Sequence, residues 1–162
     1  MVSMSRLLFA AGFVVTDGVA VRAGIVGAAG LSDILDGWLA RRLHAATRWG
    51  ALIDPIADRV FVVAVAVSLI RGGALTVPAA LVLVARDVAT ALGFVVALTV
   101  PRLRAAELKA RGLGKLVTAL QYATLLAALV APGLIGPSLV LVAVAAAWSI
   151  VDYAGALWRA RA

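Results

Sequence analysis

Four aspartates stand out by their spacing: Asp33 and Asp36, then Asp54 and Asp58. The first pair is i, i+3 and shares a helix face, which Gly37 and Ala40 continue one turn on. Gly50, Asp54 and Asp58 are i, i+4, i+8 and form one stripe on the next helix. If the two helices pack antiparallel through His44 to Arg48, the acidic stripes meet. Unpaired carboxylates at close range repel and raise each other's pKa, a cost that divalent cations remove. A donor set made only of oxygen suits Mg²⁺, Mn²⁺ or Ca²⁺ and not zinc. Gly37, Ala40 and Gly50 lack bulk, so an extended ligand can approach the backbone. Arg41 sits beside the acids and can address a phosphate. Metal ions with an arginine beside a small-residue cleft make a layout for phosphate transfer.

The plainer alternative is a set of interfacial charges paired with Arg41, Arg42 and Arg59. Eight positions obeying one fixed spacing argue against it. Pro55, between two of the acids, adds a local irregularity that a simple kink would explain.

Six apolar segments must position these residues. Ala23 to Arg41, Trp49 to Ile70, Val77 to Val100 and Pro137 to Trp158 are long enough to span a bilayer, and Leu113 to Ala131 is slightly shorter. Leu7 to Val15 is too short unless Met1 to Ser5 and Thr16 onward contribute. Gly/Pro connections at Arg71-Gly72-Gly73 and Ala131-Pro132-Gly133 separate helices, and Pro101 to Gly114 is a longer basic connection. The expected fold is therefore all-α: one polytopic membrane bundle of six transmembrane helices over residues 1–162, the first one short.

The bulk composition agrees. The chain is 64% hydrophobic with a mean hydropathy of +1.09, more hydrocarbon than a soluble fold of this size could bury. Lys+Arg number 15 against 8 Asp+Glu, a net charge of +7. No basic stretch carries the interleaved aromatics that stack on bases, so nucleic acid is not an expected partner. The excess instead fits cytoplasmic loops facing anionic head groups. Placing Arg41, Arg42 and Arg48 in the cytoplasm brings Arg6, Arg102, Arg104, Lys109, Arg111, Lys115, Arg159 and Arg161 to the same side, and leaves Arg22 and Arg71 opposite. Both termini and the acids then face the cytoplasm. Arginine in place of lysine, with abundant Ala and Val, points to a bacterial chain, and so to the bacterial cytoplasmic membrane. Cysteine is absent and His44 is the single histidine, which excludes thiolate chemistry and a histidine metal cluster. No small-x-small site follows Met1 to Val15, so a cleaved signal peptide is not expected.

The run D-x2-D-G-x2-A-R-x8-G-x3-D-x3-D, from Asp33 to Asp58, resembles the signature of the CDP-alcohol phosphatidyltransferase family at every specified position. The resemblance implies a six-helix membrane core and two ions of Mg²⁺ or Mn²⁺. It implies that Asp33, Asp36 and Asp54 hold the metals, and that Asp58 completes the site and acts as base on the acceptor hydroxyl. Gly37, Ala40 and Gly50 would line the cytidine pocket, with Arg41 on the diphosphate. The implied substrates are CDP-diacylglycerol and an anionic alcohol, with CMP leaving. Many such proteins are homodimers.

The acceptor side is read from three features. Arg86 and Asp87 lie mid-helix, either as a buried ion pair or with Arg86 as an anion-binding group. Lys115, Thr118 and Gln121 are spaced by threes along the fifth helix, either facing the acceptor or serving as cap and packing contacts. Arg104 and Arg111 in the basic connection bind an anionic acceptor or simply mark the cytoplasmic side. The Asp54-Pro55-x-Ala57-Asp58-Arg59 and Gly114-Lys115-x2-Thr118-x2-Gln121 wording resembles the branch of phosphatidylglycerophosphate synthases and CMP-forming cardiolipin synthases, and Arg86-Asp87-Val88 leans to the latter. Inositol phosphate or serine is the alternative acceptor.

Members of that family usually begin with an amphipathic segment containing Pro-Asn and a Leu-Thr-x-x-Arg stretch. Met4-Ser5-Arg6 is what remains of it here, so the expectation is a start placed too late or a shortened membrane-surface helix. A small cation-coupled transporter is the reading from another class. It would favour internal repeats and acids near the midplane, whereas the acids here sit toward one end and no repeat is visible.

Overall fold

The computed structural model describes residues 3–43, 48–99 and 111–159. They form six α-helices: α1 (Ser3–Val15), α2 (Val19–Leu43), α3 (Arg48–Arg71), α4 (Val77–Thr99), α5 (Arg111–Val130) and α6 (Ile135–Arg159). A 3₁₀ turn at Pro132–Leu134 leads into α6. α1, α2, α3, α5 and α6 begin one to four residues before the apolar runs expected of them, the preceding residues also taking helical backbone.

Local chemistry sets the corners. The Thr16 hydroxyl donates to Gly12 O (2.6 Å) and closes α1, so Thr16–Gly18 form the connection and do not lengthen the helix. Arg22 secures the corner: its Nε donates to Thr16 O at 2.5 Å and its guanidinium lies 5.2 Å from the Phe13 ring centroid. After α3, Gly73 N donates to Ile70 O and Ala74 N to Leu69 O, a Schellman closure. Gly73 takes φ +72°, where a side chain would be strained. Thr76 then caps α4, its hydroxyl accepting from Ala79 N.

α1 packs chiefly on α3, α2 on α5, and α6 on α4 and α5. The core joins Ala10 and Phe13, Val26 and Ala29, Phe61, Val62, Val65 and Leu69, Leu83, Leu125 and Val142. Many contacts are alanines, which let helices approach closely. Large apolar side chains also face outward, among them Leu8, Val15, Leu31, Leu81, Val140 and Trp148.

Among the described residues, one helical stretch, Pro132–Asp152, is both long and apolar enough to cross a membrane. α1 has 13 residues, roughly 20 Å at 1.5 Å per residue, against a hydrocarbon core of about 30 Å. The expected short first helix is therefore present and short.

Candidate active site

The buried faces of three helices end in charge at one end of the bundle. On α1, Arg6, Ala10 and Phe13 follow i, i+4, i+7. On α2, Val26, Ala29 and Asp33 follow i, i+3, i+7. On α3, Asp58 is followed by Phe61, Val62 and Val65. α1 and α3 run away from this end and α2 runs toward it, so the three stripes close on a common point.

Arg6 occupies that point. Its Nη2 lies 2.5 Å from Asp33 Oδ1 and its Nη1 lies 2.6 Å from Asp58 Oδ1. One guanidinium thus ties α1, α2 and α3, hydrogen-bonded to Asp33 and ion-paired with Asp58. Arg6 is 3% exposed, while the Asp33 and Asp58 side chains are 38% and 24% exposed. The carboxylates keep a solvent-facing side while the arginine lies beneath them.

The floor is aromatic. Tyr122 of α5 stacks on Phe61, with centroids 5.5 Å apart and planes 13° from parallel. Its ring also lies against the α2 backbone at Gly30, where an added Cβ would stand 3.4 Å from Tyr122 Cδ1. Gly30 is one turn before Asp33 and Phe61 one turn after Asp58, so the ring wedges directly beneath the acids. The buried Tyr122 hydroxyl has no hydrogen-bond partner among the described residues.

A second polar cluster joins α3, α4 and α5. Asp87 accepts from Arg86 Nη1 at 3.1 Å and from Gln121 Nε2 at 2.7 Å. Gln121, 1% exposed, also donates to Leu83 O at 2.6 Å. Arg59 donates to the Thr90 hydroxyl at 3.1 Å, which itself donates to the Arg86 and Asp87 carbonyls. The far end of Arg86 crosses α5 at Gly114, where a Cβ would collide with Nη2.

Of the residues singled out from sequence, Asp33 and Asp58 are brought together. Asp36, Gly37, Ala40 and Arg41 lie on α2 and Gly50 and Asp54 on α3, with their side-chain surroundings outside the described residues. Arg104 lies wholly outside them, as does the side chain of Arg111 at the start of α5. Arg86 is ion-paired with Asp87. Lys115 is exposed, and the Thr118 hydroxyl donates to Gly114 O on its own helix. Arg6 and Tyr122 are absent from the sequence-based site. A faint signal existed for Arg6: a lone cation continuing a buried apolar stripe on a short helix.

The described acids, Asp33 and Asp58, offer the oxygen donors a divalent cation would need, and both are engaged by Arg6. Two carboxylate oxygens from different helices already converge on one positive group, and oxygen donors suit hard cations. No group of three or more candidate ligands occurs among the described residues.

A family model described as CDP-alcohol phosphatidyltransferase matches residues 1–152. The chain is 41% identical over 63 residues to the CDP-diacylglycerol–glycerol-3-phosphate 3-phosphatidyltransferase of Haemophilus influenzae, covering 37% of this chain and 34% of that protein. It is 42% identical over 67 residues to the enzyme of the same name from Pseudomonas fluorescens, covering 40% of this chain and 34% of that one. It is 30% identical over 149 residues to the human cardiolipin synthase (CMP-forming), covering 82% of this chain and 50% of that protein. The chain thus spans a third to a half of the length of these relatives.

Proposed function

The chain belongs to the CDP-alcohol phosphatidyltransferase family, and we propose that it transfers a phosphatidyl group from CDP-diacylglycerol to a glycerol-based acceptor. The acceptor is glycerol 3-phosphate, giving phosphatidylglycerophosphate, or phosphatidylglycerol, giving cardiolipin. The observation that carries this reading is the convergence of Asp33 and Asp58 on one cationic group, within a motif whose eight positions keep the family spacing.

In this reading Asp33, Asp36, Asp54 and Asp58 hold two ions of Mg²⁺ or Mn²⁺. When bound, these neutralise the diphosphate and the leaving phosphate. Gly37, Ala40 and Gly50 admit the cytidine nucleotide, and Arg41 holds its diphosphate. Asp58 takes the proton from the acceptor hydroxyl. That oxygen bonds to the lipid-side phosphorus, the bond from this phosphorus to the CMP oxygen breaks, and CMP leaves. The solvent-facing side of Asp58 supports this role, since a base must reach its proton.

Arg86, Lys115, Thr118, Arg104 and Arg111 form the acceptor side. Arg86 serves while anchored: Asp87 takes one of its nitrogens, and Gly114 leaves room for the other end. Six helices with outward-facing apolar side chains support a multi-pass protein of the bacterial cytoplasmic membrane. The arginine distribution supports both termini and the site on the cytoplasmic side.

The test is an acceptor panel. Purified protein with CDP-diacylglycerol and metal is offered glycerol 3-phosphate, phosphatidylglycerol, inositol phosphate or serine, and the lipid product is identified by mass. A product with one of the first two names the reaction. A product only with inositol phosphate or serine replaces the acceptor assignment.

A further inference from the structure

The Arg6 bridge bears on how the acids survive without metal. A buried charge is tolerated only when paired, and Arg6 is nearly sealed from solvent. Its two terminal nitrogens each take one oxygen, Oδ1 of Asp33 and Oδ1 of Asp58. Two like-charged groups on different helices are thereby drawn together by a cation belonging to a third.

We propose that Arg6 is a positioning residue that serves as the internal counter-ion of the Asp33–Asp58 pair and holds the two acids in register before a metal ion binds. The inference rests on the metal-binding reading of these acids given above. When no metal is bound, Arg6 supplies the positive charge between α2 and α3, and docking of α1 depends on it. When the acids are engaged by a divalent cation, their mutual repulsion is already relieved and the same guanidinium contributes less.

This asymmetry separates positioning from plain packing. Arg22 gives the control: it also ties α1 to α2, but through Thr16 O and the Phe13 ring at the other end of α1. Thermal unfolding of the full chain in detergent is followed for wild type, Arg6→Gln, Arg6→Lys and Arg22→Gln, each with chelator and with saturating Mg²⁺ or Mn²⁺. Arg6→Gln is expected to lower Tm by roughly 5 °C in chelator and by less than half of that in metal, a scale set by partial loss of a buried pair in a chain of this size. Arg6→Lys keeps the charge but loses the fork, so it is expected to show the same asymmetry at smaller size, and it decides the question if Arg6→Gln does not fold. Arg22→Gln is expected to lower Tm equally in both conditions.

Equal losses for the Arg6 variants with and without metal would reduce Arg6 to a packing residue and overturn the inference, as would no loss in either condition. If wild type itself shows no metal-dependent shift, the metal reading falls and takes this inference with it. That outcome is distinct from a wild type that responds to metal with no Arg6 asymmetry.

Discussion

The Tyr122 ring lies flat on Phe61, centroids 5.5 Å apart, and closes the space between α2 and α3 beneath the acidic pair. The contact carries an energetic asymmetry within one side chain. The ring fills a packed site, while the buried hydroxyl lacks a partner among the described residues.

Tyr122→Phe is therefore expected to leave stability unchanged or slightly raised, because an unpaired buried hydroxyl is removed at constant ring volume. Tyr122→Ala opens a cavity beneath Asp33 and Asp58 and is expected to cost about 3–5 kcal/mol. Denaturant or thermal unfolding of the two variants in detergent checks both.

Gln121 is the polar link between α4 and α5. Gln121→Leu keeps most of the volume but strips a donor from both Asp87 and the Leu83 carbonyl. The expected loss is about 1–3 kcal/mol, read as a lowered Tm. Gln121→Glu places a second carboxylate against Asp87 and is expected to be worse at neutral pH than at acid pH, where the added group protonates.

Gly114→Ala places a methyl group where the Arg86 guanidinium runs. The end of that side chain must move, which disturbs its pairing with Asp87. If Arg86 binds the anionic acceptor, both Gly114→Ala and Arg86→Gln raise the acceptor KM. The expected rise for Arg86→Gln is about tenfold or more, from the loss of a charged hydrogen bond. The KM for CDP-diacylglycerol should change little. Steady-state kinetics with each substrate varied in turn makes the comparison.

Asp58→Asn removes both a ligand and the proposed base. Turnover is expected to fall by about 10²–10⁴-fold, the usual weight of general-base catalysis, and more if metal is lost as well. CMP release at saturating substrate measures it.

The helices are legible in the sequence because apolar runs end at Gly, Pro and charge: Gly72-Gly73 closes α3 and Pro132 follows α5. The meeting of Asp33 and Asp58 is legible too, since i+3 and i+4 spacing puts each acid on the face its helix buries. Arg6 is not. Near a terminus, a lone arginine reads as topological charge, and its partners exist only because α1 packs on α3. Tyr122 is hidden for the same reason: its site is made by Gly30 and Phe61, which are distant in the chain. For Arg86, the neighbouring Asp87 makes the ion pair readable, whereas the hold of Gln121 on that carboxylate across α4 and α5 depends on tertiary packing.

The central claim is metal-dependent phosphatidyl transfer at the paired aspartates. Its most direct measurement is CMP release from CDP-diacylglycerol by the purified chain with Mg²⁺ or Mn²⁺, with glycerol 3-phosphate and phosphatidylglycerol as acceptors. The account predicts acceptor-dependent CMP release that chelator abolishes and that Asp54→Asn abolishes as well. CMP release that persists in chelator or in Asp54→Asn, or no release with any acceptor from folded protein, would contradict it.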